Sequence, residues 1–169
     1  QLMFPAAKIS SGLLTNEPLI KEISKLKIPV ILSSGMSFKK EIFNAINIVK
    51  KYNNNSGVAV LKCTSLYPAP YETINLAAIK AFNESFKIPI GYSDHTIGNL
   101  ACLSAVSMGS KIIEKHFTLD KTQRGLDHKL SADPKDLKQL ITDIRNIEKI
   151  RGSSIIMPNK LELMQRTKM

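Results

Sequence analysis

The chain has 169 residues, 43% hydrophobic and 22% charged, which suits one domain with a packed core and excludes a disordered chain. Its formal net charge of +10 comes from basic residues spread along helical stretches, with no basic run interleaved with aromatics, so a nucleic-acid partner is not expected. No apolar run approaches the roughly 20 residues of a membrane span, and Cys63 and Cys102 stand alone without CxxC spacing, as reduced thiols of a cytoplasmic protein would.

In chain order, "PAAKISSG" (5–12) reads as a short opening strand, followed by an amphipathic helix over about 17–26. "KIPVILSSG" (27–35) is the second strand, and 38–52 is a helix with Ile42, Ile46 and Val49 on one side. "GVAVLKCTS" (57–65) is the third strand; the helix after it, about 71–85, carries Ile74, Leu76, Ala78 and Ile79. "IPIGYSDH" (88–95) precedes a small apolar helix at 98–108, and "SKIIEKHF" (110–117) is the fifth strand. A long polar connection, 120–134, leads to a helix over 134–151 with Pro134 at its start and Leu137, Leu140, Ile141, Ile144 and Ile147 as its buried stripe.

The strands are almost continuously apolar, as strands covered on both faces are, and they alternate with helices at a spacing near 30 residues. This order predicts an α/β fold with a parallel sheet: an open doubly wound sheet, or part of an eight-stranded (β/α) barrel. In both, ligands sit beyond the C-terminal ends of the strands. The residues there are Lys8, Ser10 and Ser11; Ser33, Ser34 and Gly35; Thr64, Ser65 and Tyr67; Ser93, Asp94 and His95; and Glu114, Lys115 and His116. The opposite ends, such as "KLKIP" and "SFKIP", are ordinary solvated connections.

His95 and His116 end successive strands, so their imidazoles can converge on one divalent metal or serve as hydrogen-bonding groups at the sheet's mouth. Lys8 with the strand-end hydroxyls suits an anionic ligand such as a phosphate. "YPAPYE" (67–72) is a rigid turn that either places Tyr67 near such a site or simply joins strand to helix with Tyr71 packed, Asp127 is a second polar candidate, and His128 is expected to stabilise its own loop by a hydrogen bond.

The set "PVILSSGM", "LKCTSLYPAP", "GYSDHT" and "IIEKHFTLD" resembles the sialic acid synthase family, which includes N-acetylneuraminate synthases and bacterial legionaminic and pseudaminic acid synthases. The resemblance runs from about Lys8 to Gly152. It implies a partial (β/α)8 barrel, strands 4 to 8 with their helices over 1–152, and a linker at 153–169 toward an antifreeze-like domain. It implies condensation of phosphoenolpyruvate with N-acetylmannosamine or a related N-acyl amino sugar, giving a nonulosonic acid and phosphate. It also implies a divalent cation (Mn²⁺ or Mg²⁺) on His95 and His116, phosphoenolpyruvate on Lys8, Ser11, Ser65 and Ser93, and the sugar on Tyr67 and Asp127. The parent enzyme is expected to be a homodimer, and the C-terminal part of a barrel is expected to be inactive alone. Leu13 stands where the family carries an acid in the sugar site, so unmodified N-acetylmannosamine is not the expected substrate. Another metal-dependent (β/α)8 aldolase or lyase, or an inactive remnant, would use the same positions differently.

Overall fold

The computed structural model describes residues 4–53, 57–166 and 168. Five parallel strands, β1 (Ala7–Ile9), β2 (Val30–Ser33), β3 (Val58–Cys63), β4 (Ile90–Asp94) and β5 (Ile113–Lys115), form one sheet in the order β1-β2-β3-β4-β5. A doubly wound sheet reverses its strand order at a switch point. The strictly sequential order here has no such point, which removes that alternative. With right-handed crossovers, the connecting helices fall on one face.

Those helices are α1 (Glu17–Ser24), α2 (Lys39–Tyr52), α3 (Tyr71–Ile74), α4 (Ala78–Phe86) and α5 (Leu100–Ser107), and α6 (Pro134–Arg151) follows β5. Alternate strand residues face them. Ile9, Val30, Leu32, Val58, Val60, Ile90 and Tyr92 pack with Ile20, Ile42, Ile46, Val49 and Ile79 in the main core. The intervening residues, including Lys8, Ser33, Cys63, Ser93 and Glu114, face the other way and line a shared cavity.

The sheet is strongly curled. β1 and β5 are its two edges, about 19 Å apart in a flat five-stranded sheet at the usual strand spacing. Yet Lys8 Nζ of β1 lies 3.0 Å from Glu114 Oε1 of β5. Two side chains span that gap only if the edges bend toward each other around the cavity.

Helix starts follow local chemistry. The Asn16 side chain accepts from the Leu19 N–H at 3.1 Å, and Asp133 accepts from the Asp136 N–H at 2.8 Å to open α6, with Pro134 next in line. The Asp136 N–H holds the Asp133 carboxyl below the usual aspartate range, with Lys121 adding to the effect. Asp133→Ala is expected to lower the melting temperature by roughly 2–4 °C. Because the folded pKa is depressed, that stabilisation is present above the unfolded value of about 3.9 and is lost as pH falls through the folded one. Thermal melts of wild type and variant should therefore differ at pH 7 and converge in acid.

Three sequence expectations change in detail. The helix expected over 71–85 is two helices, because Asn75 adopts a left-handed conformation (φ 43°) between α3 and α4. The stripe of α6 exists, but only Leu140 is buried: Leu137, Ile141, Ile144 and Phe117 line an apolar groove beside β5. Within 153–169, Lys160–Arg166 forms a further helix, α7, with no buried residue. No helix of the described residues is long and apolar enough to cross a membrane. Cys63 and Cys102 are free and buried, as expected.

Candidate active site

At the C-terminal ends of the strands lies a cavity of about 330 Å³ lined by Lys8, Ser10, Ser11, Ser33, Cys63, Tyr67, Ser93, His95, Glu114, Lys115 and His116. It collects residues from all five strand ends. Of the eight positions expected from sequence, Lys8, Ser11, Tyr67, Ser93, His95 and His116 line it directly. Ser65 and Asp127 flank it. The Ser65 hydroxyl is buried without a partner among the described residues, so close to Gly35 that a Cβ there would lie 2.2 Å away. Asp127 Oδ2 stands 3.6 Å from His116 Nδ1.

The anion-binding half is built at the ends of β1, β2, β4 and β5. Glu114 Oε1 accepts from Ser93 Oγ at 2.8 Å and pairs with Lys8 at 3.0 Å. Ser11 Oγ accepts from the Gly35 N–H at 3.0 Å, which ties the turn after β1 to the turn after β2. Ser33 is 2% exposed, and its hydroxyl finds no partner among the described residues. An ammonium and several hydroxyls, those of Ser33 and Ser65 unpartnered among the described residues, suit a small anion rich in acceptor oxygens.

The imidazole half is equally defined. The ring centres of His95 and His116 are 5.2 Å apart, edge to face. Tyr67 lies 4.0 Å from His95 and 5.7 Å from His116, ring centre to ring centre. His95 Nδ1 is 2.7 Å from the Thr64 carbonyl oxygen, which only accepts. Nδ1 therefore carries a proton, and in the neutral ring the lone pair is on Nε2. For His116, Asp127 stands on the Nδ1 side in the same way, though beyond hydrogen-bond distance.

Burial is the largest influence on both rings. It holds His116 below the ordinary histidine value, so this ring is neutral at pH 7. Burial also pulls on His95, but the contact with Cys63, 4.0 Å from Nδ1, and the Thr64 carbonyl outweigh it and raise its value. Among the described residues no group of three or more His, Cys, Asp and Glu could hold a metal ion. The donor set is two imidazoles with Nδ1 turned toward oxygen acceptors, a pattern that orients metal-binding histidines and leaves positions open for water and substrate.

Glu114 was legible only as a strand-end residue; the structure puts it between Lys8 and Ser93. The signal was its place two residues before His116, which strand alternation turns to the same side. His128 does what its loop suggested: its Nδ1 lies 2.7 Å from Thr118 Oγ1, and it does not line the cavity.

The curled β/α sheet and its polar mouth have counterparts among known proteins. The NeuB family matches residues 1–156, and the chain belongs to that family. It is 46% identical over 156 residues to the N,N'-diacetyllegionaminic acid synthase of Campylobacter jejuni, covering 92% of this chain and 47% of that protein. It is 48% identical over 162 residues to an uncharacterized protein of Methanocaldococcus jannaschii, covering 95% and 48% respectively. The crystal structure of N-acetylneuraminic acid synthetase from Leptospira borgpetersenii superposes with a TM-score of 0.89 at 37% identity, over 97% of this chain and 57% of that one. The chain thus spans about half the length of the curated relatives it matches.

Proposed function

We propose that this chain supplies strands 4 to 8 of a (β/α)8 barrel in a nonulosonic acid synthase, with 153–169 as the lead into a further domain. The whole enzyme condenses phosphoenolpyruvate with an N-acyl amino sugar of the N-acetylmannosamine type and releases phosphate. The observation that carries the reading is one cavity holding an anion-binding half (Lys8, Ser11, Ser93) against an imidazole half (His95, His116). Two reactants, one phosphorylated and one a neutral sugar, need that division.

In this reading Lys8 and the hydroxyls of Ser11, Ser93 and Ser65 hold the phosphate and carboxylate of phosphoenolpyruvate. Glu114 orients Lys8 and Ser93, both of which it contacts. Tyr67 and Asp127 hold sugar hydroxyls beside the two rings. The new bond joins C3 of phosphoenolpyruvate to the sugar aldehyde carbon, water oxygen adds at C2, and phosphate departs. His95 and His116 would hold a divalent cation, which supplies Lewis acidity to the aldehyde oxygen. Two imidazoles fit Mn²⁺ better than Mg²⁺, which prefers an all-oxygen shell. The parent enzyme is cytoplasmic and a homodimer on this reading.

The test is phosphate release by the full-length protein from phosphoenolpyruvate and a panel of acylated amino hexoses, with and without Mn²⁺. Turnover that needs all three supports the reading; turnover of a sugar substrate without phosphoenolpyruvate would replace it with an aldolase. Leu13 provides a second measurement. It ends the turn Ser11–Leu13 at the mouth and is 42% exposed, with no group that can move a proton. Leu13→Glu is expected to raise turnover of unmodified N-acetylmannosamine by about tenfold or more, a modest share of what a placed acid supplies. An unchanged rate would mean that another acid already serves.

A further inference from the structure

The pairing of β4 with β5 ends at Asp94 opposite Lys115. His95 and His116 each sit one residue beyond, so the sheet ladder stops short of the imidazoles. Past that point each backbone is tied elsewhere. The His95 carbonyl accepts from the Ala69 N–H at 2.9 Å, and the His116 carbonyl from the Ala132 N–H at 2.8 Å. Ser93 Oγ bridges to Glu114 Oε1 one register position earlier, and at the last pair the Lys115 ammonium makes the link between the two strand ends. It donates to Asp94 Oδ2 at 2.7 Å and to the Thr96 carbonyl at 2.9 Å.

This pair is deep in the protein, with side chains 5% and 0% exposed. The Asp94 carboxylate is saturated. Oδ1 accepts from the Tyr92 hydroxyl at 3.1 Å and the Thr96 N–H at 2.9 Å, and Oδ2 accepts from the Cys102 thiol at 3.2 Å as well as from Lys115. It therefore also fastens the turn after β4 and the helix α5. Replacing a buried ion pair with uncharged groups of similar volume is often neutral or stabilising, so fold stability alone does not call for one here.

We infer that the Asp94–Lys115 pair is a positioning device, fixing the spacing and mutual orientation of the His95 and His116 rings from behind the site. Its use at a divalent cation rests on the function proposed above; its geometry does not. The two residues are cross-strand partners immediately before the two histidines; strand alternation sends the Asp94 carboxylate away from the ring side, and Lys115, which also borders the cavity, reaches back to it. Movement of either strand end would change the ring separation directly.

The experiment uses the full-length protein with Asp94→Asn and Lys115→Met together, which removes both charges and leaves neither unpaired. Two readouts are taken on variants with native far-ultraviolet dichroism. The first is the NOE between ring protons of His95 and His116 in metal-free protein labelled at histidine. The second is the Mn²⁺ dissociation constant, from the EPR signal of the free ion. The NOE is expected to weaken or vanish, and Mn²⁺ affinity to fall about 10- to 100-fold, as for other residues that orient metal-binding histidines. An unchanged NOE with affinity within about twofold of wild type overturns the inference. If the double variant does not fold, Asp94→Glu serves: an added methylene in this packed site must displace a strand end. It should change the same two readouts, and native values for both overturn the inference. Wild-type Mn²⁺ binding that is indifferent to His116→Ala would sink the metal reading instead, and the metal-free NOE then decides the positioning role by itself.

Discussion

His116→Ala in the full-length protein is expected to reduce Mn²⁺-dependent turnover by about a thousandfold or more. A metal acting as a Lewis acid contributes several kcal/mol, and each 1.36 kcal/mol is a factor of ten in rate. With one of two imidazoles gone, the remaining ring faces the cavity without a partner 5.2 Å away. The loss should appear in Mn²⁺ affinity as well as in rate, because the missing ring is a proposed ligand and not merely a neighbour. His128→Ala is the matched control. That ring is bound to Thr118 in its own loop and lies outside the cavity, so Mn²⁺ affinity should stay at the wild-type value. Equal Mn²⁺ binding by the wild type and by His116→Ala would remove the metal from the proposal.

Gly91→Ala is expected to cost about 3 kcal/mol of stability, at the upper end of what overpacking a core does. Gly91 lies on β4 opposite Leu61 of β3, in the part of the sheet that supports Ser93 and His95. A Cβ there would come within 2.5 Å of the Ile112 carbonyl oxygen, 2.5 Å of Leu61 Cδ2 and 2.8 Å of Ile112 Cβ. Backbone is among the atoms that must yield, and the Tyr92 N–H donates to that same Ile112 carbonyl at 2.8 Å. Repacking a side chain alone cannot make room. A melting temperature lowered by roughly 6–12 °C would accord with this cost in a domain of this size. Gly57→Ala is the contrast: a Cβ there meets nothing within 4 Å, and its melt should be close to wild type. Equal melts for the two variants would show that β4 has slack against β5.

The frame was legible because period and position carry it. Runs such as "VAVLKC" announce strands covered on both faces, and β3 is indeed buried along its whole length. The rule that ligands gather at strand C-termini points to the mouth where six of the eight residues implied by the family resemblance line one cavity. What sequence left open was whatever depends on elements meeting through space. The strand order that separates a curled sheet from a doubly wound one is such a fact. So is the contact of Glu114 with Lys8, more than a hundred residues earlier. The break at Asn75 had a signal, since asparagine tolerates the left-handed conformation, but a continuous apolar pattern overrode it. The α6 stripe shows the reverse limit. Leu137, Ile141 and Ile144 have the period of a buried face, yet they line an open groove. Periodicity names the side of a helix that is apolar, not the amount of protein laid against it.

The contact between Lys8 and Glu114 has a use beyond the site chemistry. It runs as a chord across the arc of the sheet, from its first strand to its last. Both side chains are about one-third exposed, at 34% and 38%, so the bond is too weak in water to bend five strands. The chord spans the arc without imposing it. Those two positions are therefore a gauge of curvature: a pair of probes there would report flattening of the arc as a lengthening toward the flat-sheet distance, before any strand comes apart.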